Sequence, residues 1–258
     1  MSNLEMQGIV KRFGGLTALD QVDFDVRKGE VMALVGDNGA GKSTLIKIIA
    51  GAYAPEKGSM AFDGQIVHLR NPQGAWSLGI ATIYQELALA GKMDITDNIF
   101  LGRELRMSFL GIPILDRSRM RRRSRELLDQ LDVHVPNLDA WVERLSGGQR
   151  QGIAIARALN LEAKLIVMDE PTAALAVAEV RKVLDFIRRL RSQGKSVILI
   201  SHNIQDVFAV ADRITVLRLG RRIGVREVRN TSPEEIIGLI TGAAAINEAA
   251  LSKEANVT

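Results

Sequence analysis

The sequence contains no cysteine among its 258 residues. It therefore cannot form a disulfide, carry out thiol chemistry or build a zinc site from cysteine ligands. No apolar run approaches the length of about 18 residues that a membrane-spanning helix needs. The first residues also lack the basic and then apolar pattern of a secretion signal. The lack of cysteine suits a reducing compartment. The lack of a membrane span and of a secretion signal leads us to expect that the protein stays in the cytoplasm.

An excess of charge of one sign is also missing. The 34 Lys and Arg residues outnumber the 30 Asp and Glu residues by only 34 − 30 = 4. This net charge is too small to argue for a nucleic-acid partner by itself. A chain of this length can bury a sizeable core, as one large domain or two small ones.

One glycine-rich segment stands between an apolar run at residues 31–35 and a helix pattern at residues 45–50. It fits the pattern G-x-x-x-x-G-K-[ST], in which backbone amides and a helix N-terminus surround a phosphate group. Its residues are Gly36, Asp37, Asn38, Gly39, Ala40, Gly41, Lys42, Ser43 and Thr44.

In such a loop, Lys42 supplies a positive charge for the β- and γ-phosphates, and Ser43 offers a hydroxyl to Mg²⁺. The alternative is a glycine-rich turn without a ligand, which the flanking strand and helix disfavour. The sequence therefore predicts that this loop binds the phosphates of a nucleotide.

Predicted strands and helices alternate through most of the chain. Residues 4–35 alternate apolar and polar side chains like antiparallel strands, and residues 87–145 are expected to be mostly helical. Between and after them come short apolar runs that predict buried strands, at residues 79–84, 165–168 and 196–201. This order predicts an α/β fold: a mainly parallel sheet with helices on both faces, an antiparallel N-terminal β piece and an inserted helical segment.

Acidic and basic side chains follow two of these predicted strands. One apolar run leads into Asp169 and Glu170, and another ends at His202. Ligands of open α/β sheets bind at the carboxyl edge of the strands, so we expect these side chains to lie beside the phosphate loop. A lone histidine is more often structural, which is our expectation for His68 and His134 but not for His202.

Six arginines crowd residues 117–125. They could form a patch for nucleic acid or lipid headgroups, or they could be the solvated face of a helix. Met120, Leu127, Leu128 and Leu131 supply an apolar side for such a helix. This spacing favours the solvated face.

A second glycine motif identifies the family that the chain resembles. Leu145, Ser146, Gly147, Gly148 and Gln149 match the signature sequence of the nucleotide-binding subunits of ATP-binding cassette (ABC) transporters. The resemblance implies a phosphate-loop NTPase fold and a single ATPase domain over residues 4–242. It also implies a helical subdomain at about residues 87–155, followed by a flexible tail at residues 243–258.

The resemblance also implies roles for individual residues. Phe13 would stack on the adenine ring of ATP, and Glu170 would be the general base that polarises the attacking water. The implied catalytic residues are Lys42, Gln85, Glu170 and His202, and the implied Mg²⁺ ligands are Ser43, Gln85 and Asp169.

In this family the signature acts in trans, because two cassettes meet head to tail around ATP. One phosphate loop and one signature therefore imply a second cassette, most simply a copy of this chain. The other implied partners are integral-membrane permease subunits and, indirectly, an extracytoplasmic sugar-binding protein. No nucleic acid is expected as a partner. The implied location is the cytoplasmic face of the inner membrane.

Three stretches resemble the branch that imports simple sugars, at residues 36–43, 83–87 and 98–104. They imply an ATPase that powers uptake of a simple sugar. One alternative is an ABC ATPase for another solute. A second is a non-transport ABC protein acting on nucleic acid or the ribosome, although such proteins usually carry a coiled-coil insertion or two tandem cassettes.

Two departures from the family pattern stand out. Many members of the sugar branch are double cassettes, whereas this sequence has one. The usual S-A-L-D after the catalytic acid is Ala173-Ala174-Leu175-Ala176 here. The missing Asp helps the two subunits communicate, so the strength of coupling between the two ATP sites is left open. The sequence names neither the sugar nor the identity of the second cassette.

Overall fold

A computed structural model of the chain describes residues 2–109, 112–173 and 175–243. Its first sheet is antiparallel, in the order β2-β1-β4-β5. The strands are β1 (Ser2–Phe13), β2 (Leu16–Arg27), β4 (Lys57–Phe62) and β5 (Gln65–Ile66). The expected antiparallel N-terminal piece is therefore present. The tail expected from residue 243 onwards lies, except for Ala243, outside the described residues.

The second sheet is six-stranded, in the order β12-β11-β3-β10-β9-β6. Its strands are β3 (Val31–Val35), β6 (Ile80–Ile83), β9 (Leu165–Asp169), β10 (Ser196–Ile200), β11 (Arg213–Arg218) and β12 (Arg221–Glu227). Five of them run parallel, and β12 pairs antiparallel at one edge. Every residue of β3 and β10 is buried, as expected for parallel strands covered on both faces.

Helices cover both faces of this sheet. They are α1 (Lys42–Ile49), α2 (Pro72–Leu78), α3 (Ile95–Phe100), α4 (Arg117–Leu131), α5 (Gly147–Asn160), α6 (Val177–Ser192), α7 (Ile204–Val210) and α8 (Pro233–Thr241). Side chains of α1 pack into a core shared with the antiparallel sheet. Side chains of α3 to α7 fill the larger core on the opposite face. The predicted α/β fold with a mainly parallel sheet is confirmed.

The expectation of mostly helical structure at residues 87–145 is wrong in part. A hairpin of β7 (Arg106–Phe109) and β8 (Ile112–Leu115) separates α3 from α4. Ile112 and Ile114 are β-branched, and Pro113 has no N–H to donate within a helix, so the sequence of β8 favours an extended backbone.

The arginine-rich segment forms α4. The apolar side chains that were expected to support this helix are buried, namely Met120, Leu127, Leu128 and Leu131. On the outer face, Arg117 pairs with Asp97 at 3.1 Å and Arg123 with Glu126 at 3.2 Å. These pairs support the solvated-face interpretation. Within the described ranges, no helix is long and apolar enough to cross a membrane.

Candidate functional site

The phosphate loop joins the end of β3 to the start of α1. Gly41 has φ = 103°, in the left-handed region that favours glycine. A Cβ on Gly41 would lie 2.7 Å from the Ala18 carbonyl oxygen, and a Cβ on Gly36 would overlap the Leu217 carbonyl oxygen. The tight approach of three chain segments therefore requires glycine at both positions.

Lys42 lies at the start of α1 and folds back over the loop. Its Nζ donates to the Gly36 carbonyl at 2.6 Å and to the Asp37 carbonyl at 3.0 Å. Burial lowers the pKa of Lys42, while the negative charges of nearby acids, Glu170 first, act in the opposite direction. The ammonium group therefore lies partly desolvated among oxygen atoms, where an anion gains most from its charge.

Asp169 and Glu170 end β9 beside this lysine. Burial and the neighbouring Glu170 raise the pKa of Asp169, opposed by the positive charges of Lys42 and Lys47. Glu170 has φ = 51°, a conformation that costs free energy for a residue with a side chain. Its N–H donates to the Ile200 carbonyl at 3.0 Å, which holds the strained turn against β10.

His202 follows β10 and contacts Glu170. Its Nδ1 lies 2.8 Å from Oε2 of Glu170, and its backbone N–H donates to the same oxygen at 3.4 Å. The glutamate side chain is 17% exposed, whereas the imidazole is 76% exposed. The carboxylate is thus held from one side, and the imidazole faces the solvent side of the site.

A cleft of about 490 Å³ gathers the sequence-predicted residues. Its lining is Phe13, Leu16, Thr17, Ala18, Asn38, Gly39, Ala40, Gly41, Lys42, Ser43, Thr44, Gln85, Asp169, Glu170, Ile200 and His202. Gly36 and Asp37 lie behind it, in contact with Lys42. The structure therefore brings the proposed adenine, phosphate, metal and water-activating groups to one place. Leu16, Thr17 and Ala18 were not singled out from the sequence.

The aromatic end of the cleft has a second ring. Phe13 is 42% exposed, and its ring packs edge-to-face against Tyr53, with centroids 5.3 Å apart and an interplanar angle of 64°. Lys11 lies 5.4 Å above the Phe13 ring, and Lys47 lies 5.4 Å above the Tyr53 ring. Tyr53 packs against one edge of Phe13. In the sequence, its position shortly after the helix of the phosphate loop was the signal that could have identified it.

The donor set of the cleft suits Mg²⁺. No group of three or more His, Asp and Glu side chains is arranged as a metal cage in the part of the chain that the structure describes. Mg²⁺ in nucleotide sites needs no such cage, because one or two protein oxygens and the phosphates hold it. Ser43, Gln85 and Asp169 supply oxygen ligands of this kind within one cleft.

The signature residues are all described, and none of them lines this cleft. Ser146 caps α5 by accepting the Gln149 N–H at 3.3 Å, and the Gln149 side chain accepts the Ser146 N–H at 3.0 Å. Leu145 is buried beneath this turn, while Gly147 lines a neighbouring cavity together with Gln85 and Glu170. The structure does not bring the signature to the phosphate loop of its own chain.

Arg157 ties the far end of α5 to the segment that follows Gln85. Its guanidinium donates to the carbonyls of Ala88 at 3.0 Å and Leu87 at 3.2 Å. Burial lowers the pKa of this arginine. The residue was missed from the sequence, where it stands within an ordinary helical pattern.

The chain is similar to known proteins over most of its length. The family model for ABC transporters matches residues 19–173. The fructose import ATP-binding protein FrcA of Rhizobium meliloti is 46% identical over 244 residues, which cover 93% of this chain and 94% of that protein. The xylose/arabinose import ATP-binding protein XylG of Sulfolobus acidocaldarius is 48% identical over 238 residues, covering 92% and 93%.

Other relatives are longer. The ribose import ATP-binding protein RbsA 1 of Rubrobacter xylanophilus is 45% identical over 239 residues, and this chain spans 47% of its length. Among solved structures, the ATP-binding cassette of an ABC transporter in its ADP conformation has a TM-score of 0.78 at 26% identity, covering 96% of this chain and 98% of that chain. A dimeric cassette bound to ADP and phosphate, at 24% identity and a TM-score of 0.73, covers 88% of this chain and shows the fold alone.

Proposed function

The chain belongs to the ABC transporter family, and from that premise we propose that it is the ATP-hydrolysing subunit of an importer for a simple sugar. The relatives named above are named for import of fructose, xylose or arabinose, and ribose. The observation that carries the proposal is the single cleft in which the phosphate loop, two strand-end carboxylates and His202 meet.

In this proposal, ATP lies along the cleft from the aromatic end to the strand-end acids. The Phe13 ring stacks on adenine, and the loop amides with Lys42 hold the phosphates. Ser43, Gln85 and Asp169 would hold Mg²⁺, which would neutralise charge on the phosphate oxygens.

Glu170 is the general base. His202 engages Oε2 of its carboxylate, and no partner of Oε1 is found among the described residues. Oε1 therefore orients the attacking water and accepts its proton, while the bond to His202 fixes the direction in which the carboxylate points. The strained turn at Glu170 serves the same purpose, because it aims the side chain into the cleft.

A second cassette completes the site. The signature lies apart from the cleft of its own chain, and its Ser146 and glycine amides form the N-terminus of a 14-residue helix. In a head-to-tail pair, most simply a homodimer, this turn closes over the γ-phosphate bound to the other chain. ATP then holds the two chains together until hydrolysis releases them.

The membrane partner has a candidate docking groove. An apolar cavity of about 510 Å³ lies between α2, β6 and α5, with Trp76 and Leu101 at its rim. These two side chains are 40% and 45% exposed and adjoin the same apolar cavity, and contiguous apolar surface of this kind marks interaction sites. We propose that a permease subunit covers them at the cytoplasmic face of the inner membrane. The sugar-binding protein would then act only through the permease.

The proposal is tested by purifying the tagged chain from its native membranes and measuring ATP-driven sugar uptake in vesicles. Co-purification of integral membrane proteins is expected, with uptake of one of fructose, xylose, arabinose or ribose. Vesicles carrying Lys42→Ala serve as the inactive control. Recovery of nucleic acid that high salt removes, with no membrane protein, would contradict the transport function and support the non-transport alternative.

A further inference from the structure

The first turn of α6 packs on the signature turn of the same chain. The Gly148 N–H donates to the Glu179 carboxylate at 3.1 Å. A Cβ on Gly147 would lie 2.6 Å from the Leu175 side chain and 3.2 Å from Oε2 of Glu179. The carboxylate therefore lies directly over the two glycines of the signature.

This carboxylate is an anion held by the signature itself. The Gly148 N–H and then the Ser146 hydroxyl hold the pKa of Glu179 below its usual range. The Gly148 N–H at the N-terminus of α5 thus already serves a negative charge, in the way that a helix N-terminus serves a phosphate.

The Gly148 N–H is one of the donors that the proposed function assigns to the γ-phosphate of the partner. It cannot serve the carboxylate and the phosphate at once, and two anions in one place repel each other. Resting on the proposed function, we propose that Glu179 is an autoinhibitory contact that occupies the signature until nucleotide bound to a second copy of the chain displaces it.

A positively charged side chain near Glu179 can pair with the displaced carboxylate. Lys182 lies three residues further along α6, and its positive charge already acts on Glu179. Residues three apart on a helix are neighbours on its surface. When the partner closes, Glu179 therefore leaves the signature donors and pairs with Lys182. Its charge is then not left isolated.

The contact of Glu179 with the signature also connects the signature to the segment that begins at the proposed base. The segment from Glu170 to Glu179 includes Ala176, where the family usually has Asp for communication between subunits. In this chain, the segment reaches the signature through Glu179.

The test uses the full chain carrying Glu170→Gln, in which slowed hydrolysis is expected to accumulate the ATP-bound dimer. The measured quantity is the ATP concentration at half-maximal dimer, followed by analytical ultracentrifugation. Adding Glu179→Gln or Glu179→Ala is expected to lower it about two- to fivefold, the range of an exposed charge-assisted contact. Adding Lys182→Gln is expected to raise it.

Asp185→Asn is the matched control. It removes one carboxylate from the same helix, where Asp185 pairs with Arg188 at 2.7 Å, away from the signature. We expect this variant to need the same ATP concentration as its parent. A gain in dimerisation from the Glu179 variants cannot come from a damaged fold, since damage weakens assembly.

The outcomes separate the two proposals. A parent variant that dimerises with ATP, with no decrease or with an increase in the ATP requirement on changing Glu179, overturns the autoinhibitory contact alone. A parent variant that never dimerises with ATP overturns the head-to-tail site, and the autoinhibitory contact with it.

Discussion

Charged side chains at the two ends of the central sheet differ in how fully neighbouring charges compensate them. At the carboxyl end, burial lowers the pKa of Lys42 and raises that of Asp169, so neither charge is fully compensated. At the amino end, Arg213 is only 9% exposed but lies 2.9 Å from Asp25 and 3.3 Å from Glu30. The charges at the carboxyl end are only partly compensated, so a ligand can pair with them. The charges at the amino end are paired with each other within the chain.

Positive φ does not separate the two ends, because it occurs at Glu170 (51°) and also at Glu162 (55°), which precedes β9 at the amino end. The partners of the side chains are what differ. At the amino end, ordinary hydrogen bonds join neighbouring segments: the Val31 N–H donates to Asp212 at 2.9 Å, and Asn3 donates to Ser196 at 2.9 Å. From this difference we expect the sheet to be stabilised at its amino end and to give up stability for ligand binding at its carboxyl end.

The largest expected effect lies at the carboxyl end. Glu170→Gln removes the proposed base, so the rate of ATP hydrolysis should fall by about 10²- to 10⁴-fold. A steady-state phosphate-release assay measures it. Glu162→Gln is the control, because Glu162 is an exposed glutamate with a similar φ of 55° but does not line the cleft. Wild-type hydrolysis by the Glu170 variant would contradict the assignment and weaken the contrast between the two ends.

The next effect lies at the amino end and concerns stability. Arg213→Met leaves Glu30 as a buried, uncompensated carboxylate, which should lower the free energy of unfolding by about 3 kcal/mol. Urea denaturation measures it. Arg222→Met breaks a more exposed pair with Asp23 and should cost about 0.5 kcal/mol or less. Equal losses in the two variants would contradict the idea that burial makes this end stabilising.

Asp169→Asn tests whether the carboxyl end gives up stability. Burial and Glu170 raise the pKa of Asp169 in the folded state, so folding favours its protonated form, and the ionised form at neutral pH is destabilising. The variant should therefore melt about 2 °C or more above wild type at neutral pH. The difference should shrink as the pH falls through the raised pKa and wild-type Asp169 becomes protonated.

Thermal unfolding of the nucleotide-free protein at several pH values measures this difference. Asp185→Asn is the control, since Asp185 is an exposed acid on α6 and should show no such gain. A lower melting temperature for Asp169→Asn at neutral pH would show that Asp169 stabilises the fold.

The smallest expected effect is at the aromatic end of the cleft. Phe13→Leu removes the ring but keeps an apolar side chain, so nucleotide affinity should weaken about three- to tenfold, the range of a stacked aromatic pair. Phe13→Tyr should retain the affinity. Titration calorimetry with a non-hydrolysable ATP analogue distinguishes the two. Equal nucleotide affinity for the Leu and Tyr variants would show that residue 13 does not bind adenine by stacking.

The sequence predicted the parts of the site that local chemistry dictates. A glycine loop between an apolar strand and a helix has few conformations, and apolar runs ending in Asp169 and His202 must meet at one edge of a parallel sheet. The sequence could not place contacts between distant segments. The pairing of Phe13 with Tyr53, the grip of Arg157 on the segment after Gln85, and the approach of Glu179 to Gly148 all depend on tertiary packing.

The fold shows the same limit. The parallel sheet followed from continuous apolar runs, whereas the short helices and the hairpin had no comparable signal. Helices α2 and α7 have seven residues each and are marked mainly by the capping residues Asn71 and Asn203. The β7–β8 hairpin lies in a segment whose surroundings are helical, so composition over a wide window hid its local extended preference.

Helix α5 connects the signature to the segment that follows Gln85. The signature begins it, and Arg157 in its last turn holds the segment after Gln85, eleven residues and about 16 Å from Ser146 along the helix axis. Arg157 also borders the groove proposed for the permease. A tilt of about 10° around that end would carry Ser146 by about 3 Å, the span of a hydrogen bond. In the proposed assembly, a small movement beneath the permease would therefore be large enough to make or break the contact between the signature of one chain and the nucleotide of the other.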